Sequence, residues 1–112
     1  MAFNFWLWWH KRKADKAMRY LIINNHDHDH FIDRYDELRG DYRDCINQGE
    51  QMDELLIEKL RSLFDGIAYQ IKEDDKHTHR FSQDIQDIIA SRHVQWRAIQ
   101  QEIKVMIYPI KL

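Results

Sequence analysis

The sequence predicts an all-α fold, and within that class a four-helix up-down bundle, from three observations. Apolar residues recur at steps of three and four, at positions 52, 55, 56, 60, 63, 64, 67 and 71, then at 81, 85, 88, 89, 96, 99, 103, 106 and 107. That spacing lays one apolar stripe along a helix, which must be buried against other helices. Three glycines and one proline in 112 residues leave little material for tight hairpins, since average usage is about 7% and 5%. Charged residues at 32% beside 44% hydrophobic residues suit helices with one wet face and exclude wholesale disorder. A chain of this length has room for a single domain with one core.

The first helix is expected over about residues 4–23. Its opening, from Met1 to Trp9, is apolar on every side of any regular element, whereas a globular core takes one face only. Five cations follow (Lys11, Arg12, Lys13, Lys16 and Arg19) against one anion, Asp15. Phe5, Trp6, Trp8 and Trp9, with Lys11 and Arg12, are therefore the candidate partner-binding residues, in a stretch (1–9) expected to be mobile or covered by a partner. An aromatic hot spot for another protein or a second copy is one reading. An interfacial membrane anchor is another, with tryptophan at headgroup depth beside cations. The aromatics can also simply cap the open end of the bundle core. Ala14, Ala17, Met18, Leu21 and Ile22 form this helix's own stripe.

Asn24 to His30 reads as a loop, because Asn and Asp satisfy their own backbones in turns, with Asp29 as the cap of the next helix. That second helix is expected over about 30–46, with Phe31, Ile32, Tyr35, Leu38, Tyr42, Cys45 and Ile46 at near seven-residue spacing. Gly40 in its middle costs about 1 kcal/mol relative to Ala, and can mark the close approach of a neighbouring backbone. Asn47 with Glu50 resembles a capping box, and Gly49 supplies backbone freedom, so a third helix follows over about 50–73 with Gly66 inside it.

The junction over 72–79 contains neither Gly nor Pro, and the stripe keeps its heptad phase across it. This leaves an alternative architecture, helical hairpins with a long coiled-coil helix over 50–107 in a dimer. Polar residues at stripe positions 74 and 78, and acidic Asp84 and Asp87 near a new start, favour a turn capped by Thr78 or Ser82. The fourth helix then runs to about Ile107 and stops before Pro109. The expected core is Leu21, Ile22, Phe31, Tyr35, Leu38, Tyr42, Leu56, Leu60, Leu63, Ile67, Ile71, Phe81, Ile85, Ile88, Trp96, Ile99 and Ile103.

Five of seven histidines fall in two expected loops, His26, His28 and His30 in one and His77 and His79 in the other. In an up-down bundle these loops share one end, where imidazoles beside Asp27, Asp29, Asp74 and Asp75 suit zinc, nickel or copper. They are weak metal candidates, because alternating His and Asp is also ordinary solvated surface. No Glu-x-x-His pair, His-Glu-x-x-His pattern or Gly-rich phosphate loop occurs, so neither an enzyme nor a cofactor is expected.

A net charge of -2 gives no global footprint for nucleic acid. The single cysteine, Cys45, is expected to be a small core residue, and its isolation makes a reducing, cytoplasmic setting the default. No apolar run approaches the roughly 20 residues of a membrane-spanning helix. Lys11, Arg12 and Lys13 follow the apolar run, unlike the charges of a cleavable signal.

The reading is a small non-enzymatic protein-binding module: an adaptor, regulator or inhibitor that covers a partner's surface, or a homo-oligomer. A peripheral membrane protein and a metal-binding bundle are the alternatives.

Overall fold

The computed structural model describes residues 5–107. Phe3 and the expected stop at Pro109 lie outside them. Among the described residues the fold is all-helical, but it has three helices where four were expected: α1 (Phe5–Asn47), α2 (Glu54–His77) and α3 (Gln83–Ile107), with a 3-10 turn at Thr78–Arg80.

The expected first and second helices are one, and the expected loop over 24–30 is helix interior. The cause is a seam running through the polar stretch. Ala17, Leu21, Asn24, His28, Phe31, Tyr35, Leu38, Tyr42 and Cys45 follow steps of four and three without interruption, and all are buried or half-buried. Asn and Asp break helices when their side chains bond to their own backbone. Here Asn24 and Asn25 bond to other helices instead, Asn24 to Asp74 and Arg92, Asn25 to Arg92. Asp29 caps nothing and lies exposed within α1.

The chain leaves α1 through Gly49, two residues past its end, which adopts a positive φ of 68°. Two bonds close the turn, from the Gly49 amide to the Ile46 carbonyl (3.1 Å) and from the Glu50 amide to the Cys45 carbonyl (2.9 Å). This pairing satisfies the last carbonyls of a helix and needs a left-handed residue, hence glycine. The cap of α2 is Asp53, whose carboxylate accepts from the Leu56 amide at 2.7 Å. The capping box expected at Asn47 and Glu50 is therefore displaced: Asn47 is the last residue of α1, and Glu50 lies in the connection.

At the other end, α2 reaches His77 and the chain turns through Thr78–Arg80. The Ser82 carbonyl then accepts from the Gln86 amide at 3.0 Å, as at the cap of α3. A turn was expected over 72–79, after a helix ending at about 73. α2 instead continues through His77, and Thr78 closes it without capping the next helix. The turn is confined to Thr78–Arg80, which still rules out a continuous helix over 50–107.

Hydrogen bonds across the bundle fix the topology. Asn24 meets Arg92, His28 meets Trp96 and Tyr35 meets Glu102, so α3 runs parallel to α1 in constant register. α2 runs antiparallel to both. The core combines Phe31, Tyr35 and Leu38 of α1 with Leu56, Leu60, Leu63, Ile67 and Ile71 of α2 and Trp96, Ile99, Ile103, Met106 and Ile107 of α3. Ile22 (55% exposed) and Ile88 (41%) lie outside it, contrary to expectation, because the seams pass through Leu21 and Asn24 on α1 and Ile89 and His93 on α3. Leu21, Tyr42, Phe81 and Ile85 are half-buried, and Ala17, Met52 and Ile89 join the buried set.

Ala17 is the first buried residue of α1, and residues 6–16 are all exposed. Since α3 begins at this level, α1 carries an arm of about 18 Å beyond the packed helices, at ~1.5 Å per residue. The molecule is accordingly elongated, 74 × 21 × 19 Å. No helix among the described residues is long and apolar enough to cross a membrane.

Gly40 marks no close approach, since a Cβ there would meet nothing within 4 Å. Gly40→Ala is expected to stabilise the fold by about 0.5–1 kcal/mol in urea denaturation, through helix propensity alone. Gly49→Ala, forced into a left-handed turn, is expected to lose about 1 kcal/mol in the same measurement.

Candidate functional site

Two features stand apart from ordinary helix packing: a buried polar cluster where the three helices meet, and the exposed arm above it. The cluster centres on Asp74, whose side chain is fully buried. One carboxylate oxygen accepts from the Tyr20 hydroxyl (2.5 Å) and the Gln70 amide (3.0 Å). The other accepts from the Asn24 amide (2.9 Å) and His93 Nε2 (2.8 Å). An ionised carboxylate offers about four lone-pair sites, so Asp74 is saturated and has no site left for a substrate proton. Burial alone would push its carboxyl up, but the bonds from His93, Tyr20 and Gln70 hold it below the usual range. Asn24 extends the cluster by accepting from Arg92 at 2.7 Å. Every helix thus contributes, and the chemistry is that of a structural pin.

The arm takes a different form. Trp6 is 65% exposed, Leu7 64%, and Trp8 and Trp9 each 42%. The Phe5 side chain lies outside the described part of the structure. Helical spacing of three and four brings Trp6 onto Trp9 (6.0 Å, stacked) and against His10 (4.5 Å, edge-on). Arg12 lies over the Trp8 ring and Lys13 over the Trp9 ring, each at 5.2 Å. Such contacts contribute about 0.5–1 kcal/mol at exposed sites, enough to order the indoles without hiding them. Lys11 is exposed on the same turn.

The structure adds what sequence reasoning did not find. The 3-10 turn brings Arg80, His77 and Phe81 beside the root of the arm, forming a groove of about 630 Å³ with Trp9, Arg12, Lys13, Lys16 and Tyr20. Tyr20 joins the two features, because its hydroxyl is held by Asp74 while its ring packs 5.1 Å from Phe81.

The histidines divide differently from expectation. His26, His28 and His30 lie on one continuous helix, where residues two apart point to opposed sides. His28 accepts from Trp96 Nε1 at 2.9 Å, and burial, reinforced by Arg92, lowers its pKa. His26 and His30 are exposed, as are His77 and His79 at the α2 corner. His77 lies beside Tyr20, so the two clusters do not converge. Among the described residues no three His, Cys, Asp or Glu side chains are grouped to hold a metal ion. Cys45 is half-buried against the core; partial burial and the carboxylates of Asp53 and Glu50 push its thiol up, away from reactivity.

Removing the pin leaves buried donors without an acceptor. Asp74→Ala is expected to cost about 3–5 kcal/mol in urea denaturation, and its effect should be far from additive with that of His93→Ala. Burial first, then the bonds to Asp74 and Glu102, push the phenols of Tyr20 and Tyr35 well above their ordinary value. The folded chain therefore keeps these protons above about pH 10, where the unfolded chain releases them. Stability is expected to fall as the pH rises past 10, and Tyr20→Phe should flatten that decline. An unchanged slope in the variant would contradict the assignment.

No family model, curated protein or solved structure matches this chain, so a functional reading rests on the arm and its groove.

Proposed function

We propose that this chain is a non-enzymatic protein-docking module whose α1 arm enters a recess on another protein, with Trp6, Trp8 and Trp9 as anchors and Lys11 and Arg12 steering the approach. The observation that carries the reading is the exposure of three indoles and Leu7 on a helix that projects beyond its own core. Partner surfaces favour such residues because aromatic anchors bring large apolar area at small entropic cost. Burying about 100 Å² of each of the three indoles at ~25 cal/mol per Å² yields about 7.5 kcal/mol. Association itself costs about 4–15 kcal/mol, so the arm alone supports a weak complex and needs the adjoining charges to reach specificity.

A membrane surface is the second reading, favoured by the order of residues along the arm. Residues 6–9 form an apolar tip of about 6 Å, within the ~5–10 Å depth of interfacial insertion, and cations follow immediately.

A photo-crosslinking residue placed at Leu7, with one at exposed Val94 on α3 as control, separates these readings in cells that make the protein. The expected result is a discrete protein adduct from position 7 and none from 94. An adduct at twice 13.8 kDa identifies the partner as a second copy. Adducts to lipid alone, or equal adducts from both positions, would sink the protein-docking reading.

A further inference from the structure

We infer that the groove at the root of the arm is a recognition site for a short acidic peptide segment bearing one large apolar side chain, supplied by the partner protein. This rests on the docking reading and adds the chemistry of what is docked.

Three elements build the site. Trp9 and Tyr20 of α1 and Phe81 of the corner form its apolar walls, while Arg12, Lys13 and Lys16 flank it from the arm and Arg80 from the 3-10 turn. Its volume of about 630 Å³ falls inside the ~300–1,000 Å³ of clefts that enclose ligands. Among the described residues no carboxylate lines it. Elsewhere on the surface Arg34 pairs with Glu37 and Arg39 with Asp36. Among the described residues, none of the four groove cations pairs with a carboxylate. Four like charges held around an apolar floor call for a ligand with several negative charges and an apolar centre. The floor is also preorganised, because Tyr20 is fixed from below by Asp74.

The same observations weigh against two other polyanions. Six of the chain's 17 cations (Lys11, Arg12, Lys13, Lys16, Arg19 and Arg80) lie on the arm, at its root or on the 3-10 turn. Against them stand Asp15 on the arm and Glu73, which reaches groove-lining His77 at 3.8 Å, so cations dominate here and the rest of the molecule is acidic. A nucleic-acid strand leaving the groove would meet like charge within a few nucleotides. A bilayer can meet the tip of the arm, but a flat surface does not enter a recess at its root.

The test uses the full chain and a labelled peptide, acetyl-Glu-Asp-Glu-Phe-Glu-Asp-Glu-amide, followed by fluorescence anisotropy at low and at physiological salt. Replacing the central Phe with Gly is expected to weaken binding about tenfold, as is Arg80→Glu or Lys13→Glu. Those two variants lie on separate elements, so a folding defect in one leaves the other informative. Val94→Ala, exposed on α3 away from both groove and arm, should change the affinity less than about twofold, and the crosslink from position 7 is read independently of the peptide, so the groove and arm readings fail separately. The inference is overturned if the Gly and Phe peptides bind alike, if neither charge reversal matters, or if phosphatidylserine vesicles or an oligothymidylate strand bind more tightly at equal salt.

Discussion

The four hydrogen bonds into the Asp74 carboxylate are the constraint on which the rest of this structure depends. A carboxylate sealed among three helices is costly to desolvate, and it is tolerable only when each lone pair is filled. Filling them requires Tyr20 and Asn24 at one level of α1 and His93 at one level of α3, around a fixed point on α2. Any one-turn slip of a helix would strand a buried charge. An apolar seam of Leu and Ile tolerates such slips far better, so the polar cluster selects the register and the apolar core supplies the bulk of the stability.

From that pin follow the two external features. Asn24 faces Asp74 from the middle of α1, so the helix passes through its polar stretch unbroken and continues past the level where α3 begins. What continues is the arm, and its tryptophans remain partly exposed because α3 begins only near the level of Ala17, with Trp9 alone bordering the groove beside the corner. Tyr20 carries the same constraint outward, placing its ring against Phe81 and closing the floor of the groove. Thus the core's geometry sets the position of the basic aromatic surface, although none of the surface residues touches Asp74 directly except Tyr20.

Much of this was legible in the sequence and some was misread. The stripe from Leu56 to Ile71, and that of Trp96, Ile99 and Ile103, follow from spacing alone, and the exposure of Trp6, Trp8 and Trp9 follows from apolar residues on every side of one turn. The continuity of α1 was also encoded, in the unbroken alternation of four and three from Ala17 to Cys45. Composition obscured it, because Asn24 and His28 occupy seam positions and the run around them looks like turn chemistry. Asp74 misled in the same way: a charged residue on a stripe reads as a break until its partners are known, and those partners lie on two other helices. Arg80 and His77 could not be assigned to the arm's root from sequence, since only the corner after α2 brings them there. Asp53, in contrast, was a readable cap, three residues before Leu56, eclipsed by the more familiar pattern at Asn47.

The central claim is that α1 is one rigid helix pinned at Asn24, which fixes the arm relative to the bundle. Residue-resolved amide hydrogen exchange over 24–30 tests it most directly. The account predicts that these amides are protected to the same degree as those of Phe31 to Leu38, because they open only with the bundle as a whole. Exchange at the rate of an exposed loop over 24–30, with protection retained at 31–38, would show two helices joined by a linker and would contradict it.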